Sequence, residues 1–162
     1  WGRNIRALKD AVRIMGGKKV GTHLIIGLGE TEKDAISLIQ RLKNMGVYCA
    51  LFAFTPIPGT PLEKRSQPSI KTYRRVQIAN YIISNNLGHF RNMLFNEAGE
   101  LIDFGAPKEK LNESIMSGKP FLTSGCPHCN RPYATEIPGK SIYNYPRVPS
   151  KGEIQKITRQ IS

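Results

Sequence analysis

Cysteine is scarce in this chain: three residues in 162, Cys49, Cys126 and Cys129. They are too few and too clustered for a disulfide framework, so a reducing, cytoplasmic setting is expected. No apolar run approaches the roughly 18 residues that a membrane-spanning helix needs, and no membrane partner is expected. Acidic residues are also few, 12 against 24 lysines and arginines, which leaves a net charge of +12 and a pI near 9.9. A balance this basic favours an acidic partner, whether nucleic acid, an acidic protein or an anionic cofactor, without choosing among them. There is no charged-then-apolar leader: the chain opens on Trp1 and is helical in pattern at once. We therefore expect a fragment whose upstream part is missing.

What is present is enough to bury a core. Ile5, Leu8, Val12 and Met15 recur at helical spacing and stop at Gly16-Gly17. Residues 20–26 read as a strand and 31–45 as an amphipathic helix with Ala35, Leu38, Ile39, Leu42 and Met45 inward. Residues 47–54 are near-continuously apolar, as buried parallel strands are. This alternation predicts an α/β fold, the C-terminal part of a partial (β/α) TIM-like barrel spanning 1–105. Within it, 69–85 is a long helix with Tyr73, Val76, Tyr81 and Ile82 on an apolar side, and the runs about 93–104 suggest a hairpin. Residues 107–116 form a short helix with Lys110, Glu113 and Ser114 outward. An irregular extension, 106–162, follows; its stretch 118–150 is rich in Gly, Pro, Tyr and Asn, and its tail 151–161 is a basic helix with Ile154, Ile157 and Ile161 on one side.

Two stretches carry chemistry in the barrel part. The apolar strand 20–26 ends abruptly in Gly27-Leu28-Gly29-Glu30, and Thr31 is placed as an N-cap with Asp34 three residues on. Glycines at a strand end let backbone approach a ligand, and ligands of α/β sheets sit beyond the carboxyl ends of strands. A tight βα connection is the plain alternative. After the next strand, Thr55-Pro56-Ile57-Pro58-Gly59-Thr60-Pro61-Leu62-Glu63 is too rich in proline for regular structure and forms a stiff loop at the same face. Ile25-x-Gly27-x-x-Glu30 resembles the strand-five motif (G-x-I-x-G-x-x-E) of radical S-adenosylmethionine (SAM) enzymes. Its wording is similar to biotin synthase and its relatives, which also show a Gly-Thr-Pro-Leu like 59–62 after the sixth strand. His23 stands where that motif has its first glycine; a histidine in a strand is commonly a hydrogen-bonded core residue, and a substrate or cofactor contact is the alternative.

The extension carries Cys126-Pro127-His128-Cys129. Two thiolates at this spacing can grip one metal ion or two corners of a cluster, but a structural zinc site needs four ligands. Cys49 reads as a small buried apolar residue. The stretch 124–133, with Tyr143-Asn144-Tyr145-Pro146 behind it, resembles the extension of radical SAM sulfur-inserting enzymes, the two-component lipoyl synthases above all. Departures are plain. A cluster cysteine of biotin synthase is replaced by Gly21, the terminal Arg-Ser-Ser-Tyr-like motif of ordinary lipoyl synthase is absent, and the cysteine triplet (C-x-x-x-C-x-x-C) of the superfamily would lie upstream, so this chain alone is expected to be inactive.

The resemblance implies a sulfurtransferase in which a 4Fe-4S cluster, held by residues upstream of this chain, reduces SAM to generate a 5′-deoxyadenosyl radical. That radical would abstract hydrogen from a protein- or peptide-bound octanoyl chain, and an auxiliary iron–sulfur cluster on Cys126 and Cys129 would supply sulfur. Ile25, Gly27, Gly29, Thr55 and Pro56 would wall the SAM, while Glu30 fixes the turn. His23 and Arg131 are the candidate substrate or cofactor contacts, and the extension's tyrosines pack it down. Implied partners are an acidic carrier protein or lipoyl-domain peptide, a second radical SAM subunit and an electron donor such as ferredoxin; nucleic acid is not expected. The alternatives are a radical SAM enzyme with another thiolation or methylation substrate, or a zinc- and nucleic-acid-binding module.

Overall fold

A computed structural model describes residues 1–123 and 141–161. The order is α1 (Gly2–Met15), β1 (Val20–Ile26), α2 (Glu32–Asn44), β2 (Val47–Ala53), α3 (Ile70–Ser84), a short 3₁₀ turn, β3 (Leu94–Phe95), β4 (Leu101–Asp103), α4 (Lys108–Met116), a second 3₁₀ turn (Lys119–Phe121) and α5 (Lys151–Ile161). The fold is mixed α/β. β1 and β2 are parallel over their whole lengths, with Val20 opposite Val47 and Ile26 opposite Ala53. β3 and β4 make a separate antiparallel hairpin.

Local chemistry sets the helix limits. Thr31 and Asp34 cap α2 reciprocally: Asp34 N–H donates to Thr31 Oγ1 and Thr31 N–H to Asp34 Oδ2, both at 3.1 Å. The Thr31 hydroxyl, which donates to Asp34 Oδ2 at 2.7 Å, and next the Thr31 N–H hold the Asp34 carboxyl below its ordinary range. Ser69 caps α3 through the Thr72 N–H. α1 stops where Gly16 turns to φ +87°.

The parallel pair gives one face to the helices. Val20 and Ile26 of β1, with Val47, Cys49 and Leu51 of β2, join Ile36, Ile39 and Leu42 of α2 in one apolar cluster. Ile36 completes the inner face of α2 that Ala35, Ile39 and Leu42 predict, while Met15 of α1 is exposed rather than inward. Helix α3 departs from a one-sided pattern. It is buried on almost every side, because α2, β2, α4, α5 and the second 3₁₀ turn all pack on it. Ser114 is buried, not outward, and its hydroxyl donates to the Lys110 carbonyl. The same cluster takes in Phe121, Tyr145 and Ile157 from the extension.

Two neighbouring arginines on α3 fasten the rest. Arg75 is held by Glu32, Nε to Oε2 at 2.8 Å and Nη2 to Oε1 at 2.6 Å, and Glu32 also accepts the Leu101 N–H at 2.7 Å, which ties the hairpin to α2. Arg74 is fully buried. It donates to Gln77 Oε1 (2.7 Å), to the carbonyls of Ile142 and Tyr143 (2.5 Å each) and to Gln160 Oε1 of α5 (3.2 Å). Phe121 and Tyr145 stack on the guanidinium at 5.3 and 5.5 Å. Arg74→Met strands these buried acceptors, so it is expected to cost about 3–4 kcal/mol. Arg74→Lys, without the planar fork, should recover less than half of that. Urea denaturation checks both.

Helix α5 begins with a capping box: Glu153 accepts Ser150 N–H at 2.6 Å, and Arg147 donates to it at 2.8 and 3.0 Å. The Arg147 bonds first, and the Ser150 N–H second, pull the Glu153 carboxyl from its ordinary 4.5 to about 2. A depressed carboxylate stabilises the fold fully above its unfolded pKa and loses that contribution as pH falls toward the folded one. Stability followed by urea denaturation should therefore fall between about pH 4.5 and 2, and Glu153→Gln should flatten that part of the profile.

Candidate functional site

The carboxyl ends of β1 and β2 meet the proline loop and the 141–145 segment, and a cleft of about 480 Å³ opens among them. Its β1 wall is His23 and Ile25; its second wall is Phe52 and Ala53 of β2 with Phe54 just after them. Thr55, Ile57 and Gln67 come from the loop, Tyr143 and Asn144 from the extension. This is the sheet face that the helices leave uncovered. Strand alternation puts His23 and Ile25 on it, opposite Ala50 and Phe52.

The polar part of the wall is braced from behind. Tyr143 donates its hydroxyl to the Pro68 carbonyl at 2.6 Å and sets its ring edge-on to Tyr73, 5.1 Å between centroids. Asn144 Oδ1 accepts from Gln77 Nε2 at 2.9 Å, and its amide donates to the Tyr73 hydroxyl at 3.0 Å. The extension is thus locked against α3 where it lines the cleft. Gln67 donates to Thr55 Oγ1 at 3.3 Å across the rim.

Of the residues expected to wall a SAM molecule, Ile25 and Thr55 line this cleft. Gly27 and Gly29 do not. They face a separate depression of about 340 Å³ with Arg65, Pro68 and Ser69. A Cβ on Gly27 would stand 2.7 Å from Pro68 Cδ, and one on Gly29 2.8 Å from an Arg65 nitrogen. The space their missing side chains leave is filled by this chain's own loop. Pro56 is half-buried beside Thr55.

Glu30 fixes the turn. Its two carboxylate oxygens accept the N–H groups of Gly27 at 2.6 Å and Leu28 at 2.9 Å, while Arg65 Nε donates to the Gly27 carbonyl at 2.9 Å.

His23 corrects the core reading. It is exposed, its ring 4.8 Å from that of Phe52 at 62°, on the open face and not among the helices. Cys49 is buried as expected, on the helix side of β2, and desolvation pushes its thiol up to about 12. It therefore stays protonated as a small buried apolar group. Cys126, Cys129 and Arg131 lie outside the described residues. Among the described residues no group of three or more His, Cys, Asp or Glu side chains could hold a metal ion.

Protein-family models, curated proteins and solved structures give no match to the chain. The site is read from its geometry. Phe52, Ala53, Phe54, Ile57, Gln67 and Asn144 are lining residues that sequence reading missed. The β2 alternation could have offered Phe52, but Asn144 has no signal short of the tertiary fold. No helix among the described residues is long and apolar enough to cross a membrane.

Gly27→Ala combines a φ of +106° with the contact on Pro68, and is expected to cost about 2 kcal/mol or more. Gly21→Ala, whose Cβ would meet nothing nearer than the Tyr48 carbonyl at 3.7 Å, should stay within about 0.5 kcal/mol. Urea midpoints of the two variants test whether the turn is packed as described.

Proposed function

We propose that this chain is the C-terminal part of a (β/α) barrel belonging to a radical SAM sulfur-insertion enzyme of lipoyl synthase type. The observation that carries the reading is the return of the extension to the strand ends. Thr123 N–H donates to the Tyr145 carbonyl and Tyr145 N–H to the Phe121 carbonyl, both at 2.8 Å, so the chain leaves and re-enters at one closed base. Tyr143 and Asn144, beside that base, wall the cleft that Ile25 and Thr55 also line.

The residues fit an adenosyl group in part. Ile25, 44% exposed, offers a flat apolar surface next to the Thr55 hydroxyl, and parallel strands deliver both to the face where ligands of such sheets bind. Gly27 and Gly29 act one step removed, by letting the 65–69 loop close under the turn. Cys126 and Cys129 are the candidate auxiliary-cluster ligands; the ligands of the SAM cluster are sought upstream. When bound, SAM and the clusters supply the radical chemistry and the sulfur. What this chain contributes is a braced, largely apolar cleft that orients an octanoyl chain and limits water. The basic surface suits an acidic carrier domain, with ferredoxin as a suitable donor.

Anaerobic purification followed by iron, zinc and acid-labile sulfide analysis tests the reading. Iron with sulfide, lost in the Cys126→Ser/Cys129→Ser double variant, is the expected result. Stoichiometric zinc without sulfide would overturn it in favour of the zinc module. Given a bound cluster, the protein carrying its upstream residues, incubated with SAM, reductant and octanoyl-lysine peptide, should release a thiolated product. A cluster without that product would point to another thiolation or methylation substrate.

A further inference from the structure

The cleft is polar at both ends and apolar between them. At the rim, Thr55 and Gln67 bond to one another. At the other end stands His23, two residues before Ile25 on the same face and so about 6.6 Å along the strand from it. Ile25, Phe52 and Phe54 form the belt between. No hydrogen bond is made to either His23 ring nitrogen by the described residues. Edge contact with Phe52 still fixes the ring toward the cleft. The described lining residues include no carboxylate, lysine or arginine. An imidazole is thus the group at that end with hydrogen-bonding capacity to spare.

We propose that His23 is the specificity-determining residue of this cleft, donating a hydrogen bond to the carbonyl oxygen of an acyl ligand whose chain lies along the Ile25–Phe52 belt. An N–H is present on the imidazole in both its neutral and its charged form, so a carbonyl is met in either state. Because His23 is exposed, the carbonyl it holds can remain joined to a larger carrier, while the chain runs toward the end walled by Tyr143 and Asn144. A cleft of about 480 Å³ has the size of small-molecule sites, whose few polar groups set orientation. The inference rests on this cleft being the substrate site of the proposed enzyme, and it explains why a glycine at this position would not serve: glycine has no donor to offer the head group.

The test is titration of the full 162-residue chain with octanamide, followed by amide and imidazole NMR shifts. Octanamide is expected to move the resonances of His23, Ile25 and Phe52. His23→Leu, which keeps the bulk and removes the donor, should weaken Kd about tenfold, the weight of one hydrogen bond. His23→Gln, which restores a donor, should bind within about twofold of the parent. A merely structural role would instead shift the urea midpoint of His23→Leu and would not be rescued by glutamine. The proposal is overturned if the parent chain does not bind, if His23→Leu binds as the parent does, or if the shifts map to other parts of the surface. Iron and SAM are not needed for this measurement, so its failure strikes the role of His23, whereas absence of iron and sulfide strikes the sulfur-insertion reading.

Discussion

A guanidinium taken wholly out of water is the constraint on which this structure turns. Burying an unpaired charge is costly enough that a protein must surround it with acceptors or leave it at the surface. Around Arg74 the surroundings come from four places far apart in the chain: Gln77 one turn along α3, Phe121 after α4, the carbonyls of 142 and 143, and Gln160 in α5. None of these segments can drift away without exposing or stranding the charge. The described parts of the extension are held by this polar centre together with the apolar cluster that takes in Phe121, Tyr145 and Ile157.

Arg75, the next residue, performs the same service in the other direction. Its pairing with Glu32 looks like a helix–helix salt bridge, yet the same carboxylate accepts the Leu101 N–H. One buried acid therefore satisfies an arginine from α3 and a backbone donor from the hairpin. Successive residues on a helix point about 100° apart, so two adjacent arginines can anchor two unrelated substructures to one axle. Helix α3 is buried nearly all round because it serves both, and the cleft wall at Tyr143 and Asn144 is held through the Arg74 side of it.

Local signals in the chain were legible where a local cause exists. The strand 20–26, the Thr31 cap, the proline loop, the hairpin about 93–104 and the helical tail all follow from alternation, capping chemistry or turn residues within a few positions. Legibility ended where the partner is distant. Arg74 sits in a helix where an arginine ordinarily reaches solvent, and its acceptors outside α3 lie 68 to 86 residues away. Ser114 reads as a surface residue because its hydroxyl finds its carbonyl within the helix and so buries without loss. By type His23 reads as a core residue or as a ligand contact, and the register of β1 on β2 decides its face. The parallel arrangement of 20–26 and 47–53 was readable from their near-continuous apolar runs.

The turn after β1 shows how a motif can report folding before it reports chemistry. In Ile25-x-Gly27-x-x-Glu30, the glutamate is three residues beyond Gly27, near enough for one carboxylate to accept two successive N–H groups that the end of the strand leaves without partners. Gly27 is glycine because its φ is positive and because Pro68 stands where a Cβ would be. Both positions are explained with no ligand present. Ile25 is different: strand alternation would let it be any apolar residue, and nothing in the packing of the helices calls for it, since it faces away from them. Ile25 and His23 on the open face, with Thr55 beyond β2, are therefore left unexplained by the packing of the helices, and they line one cleft.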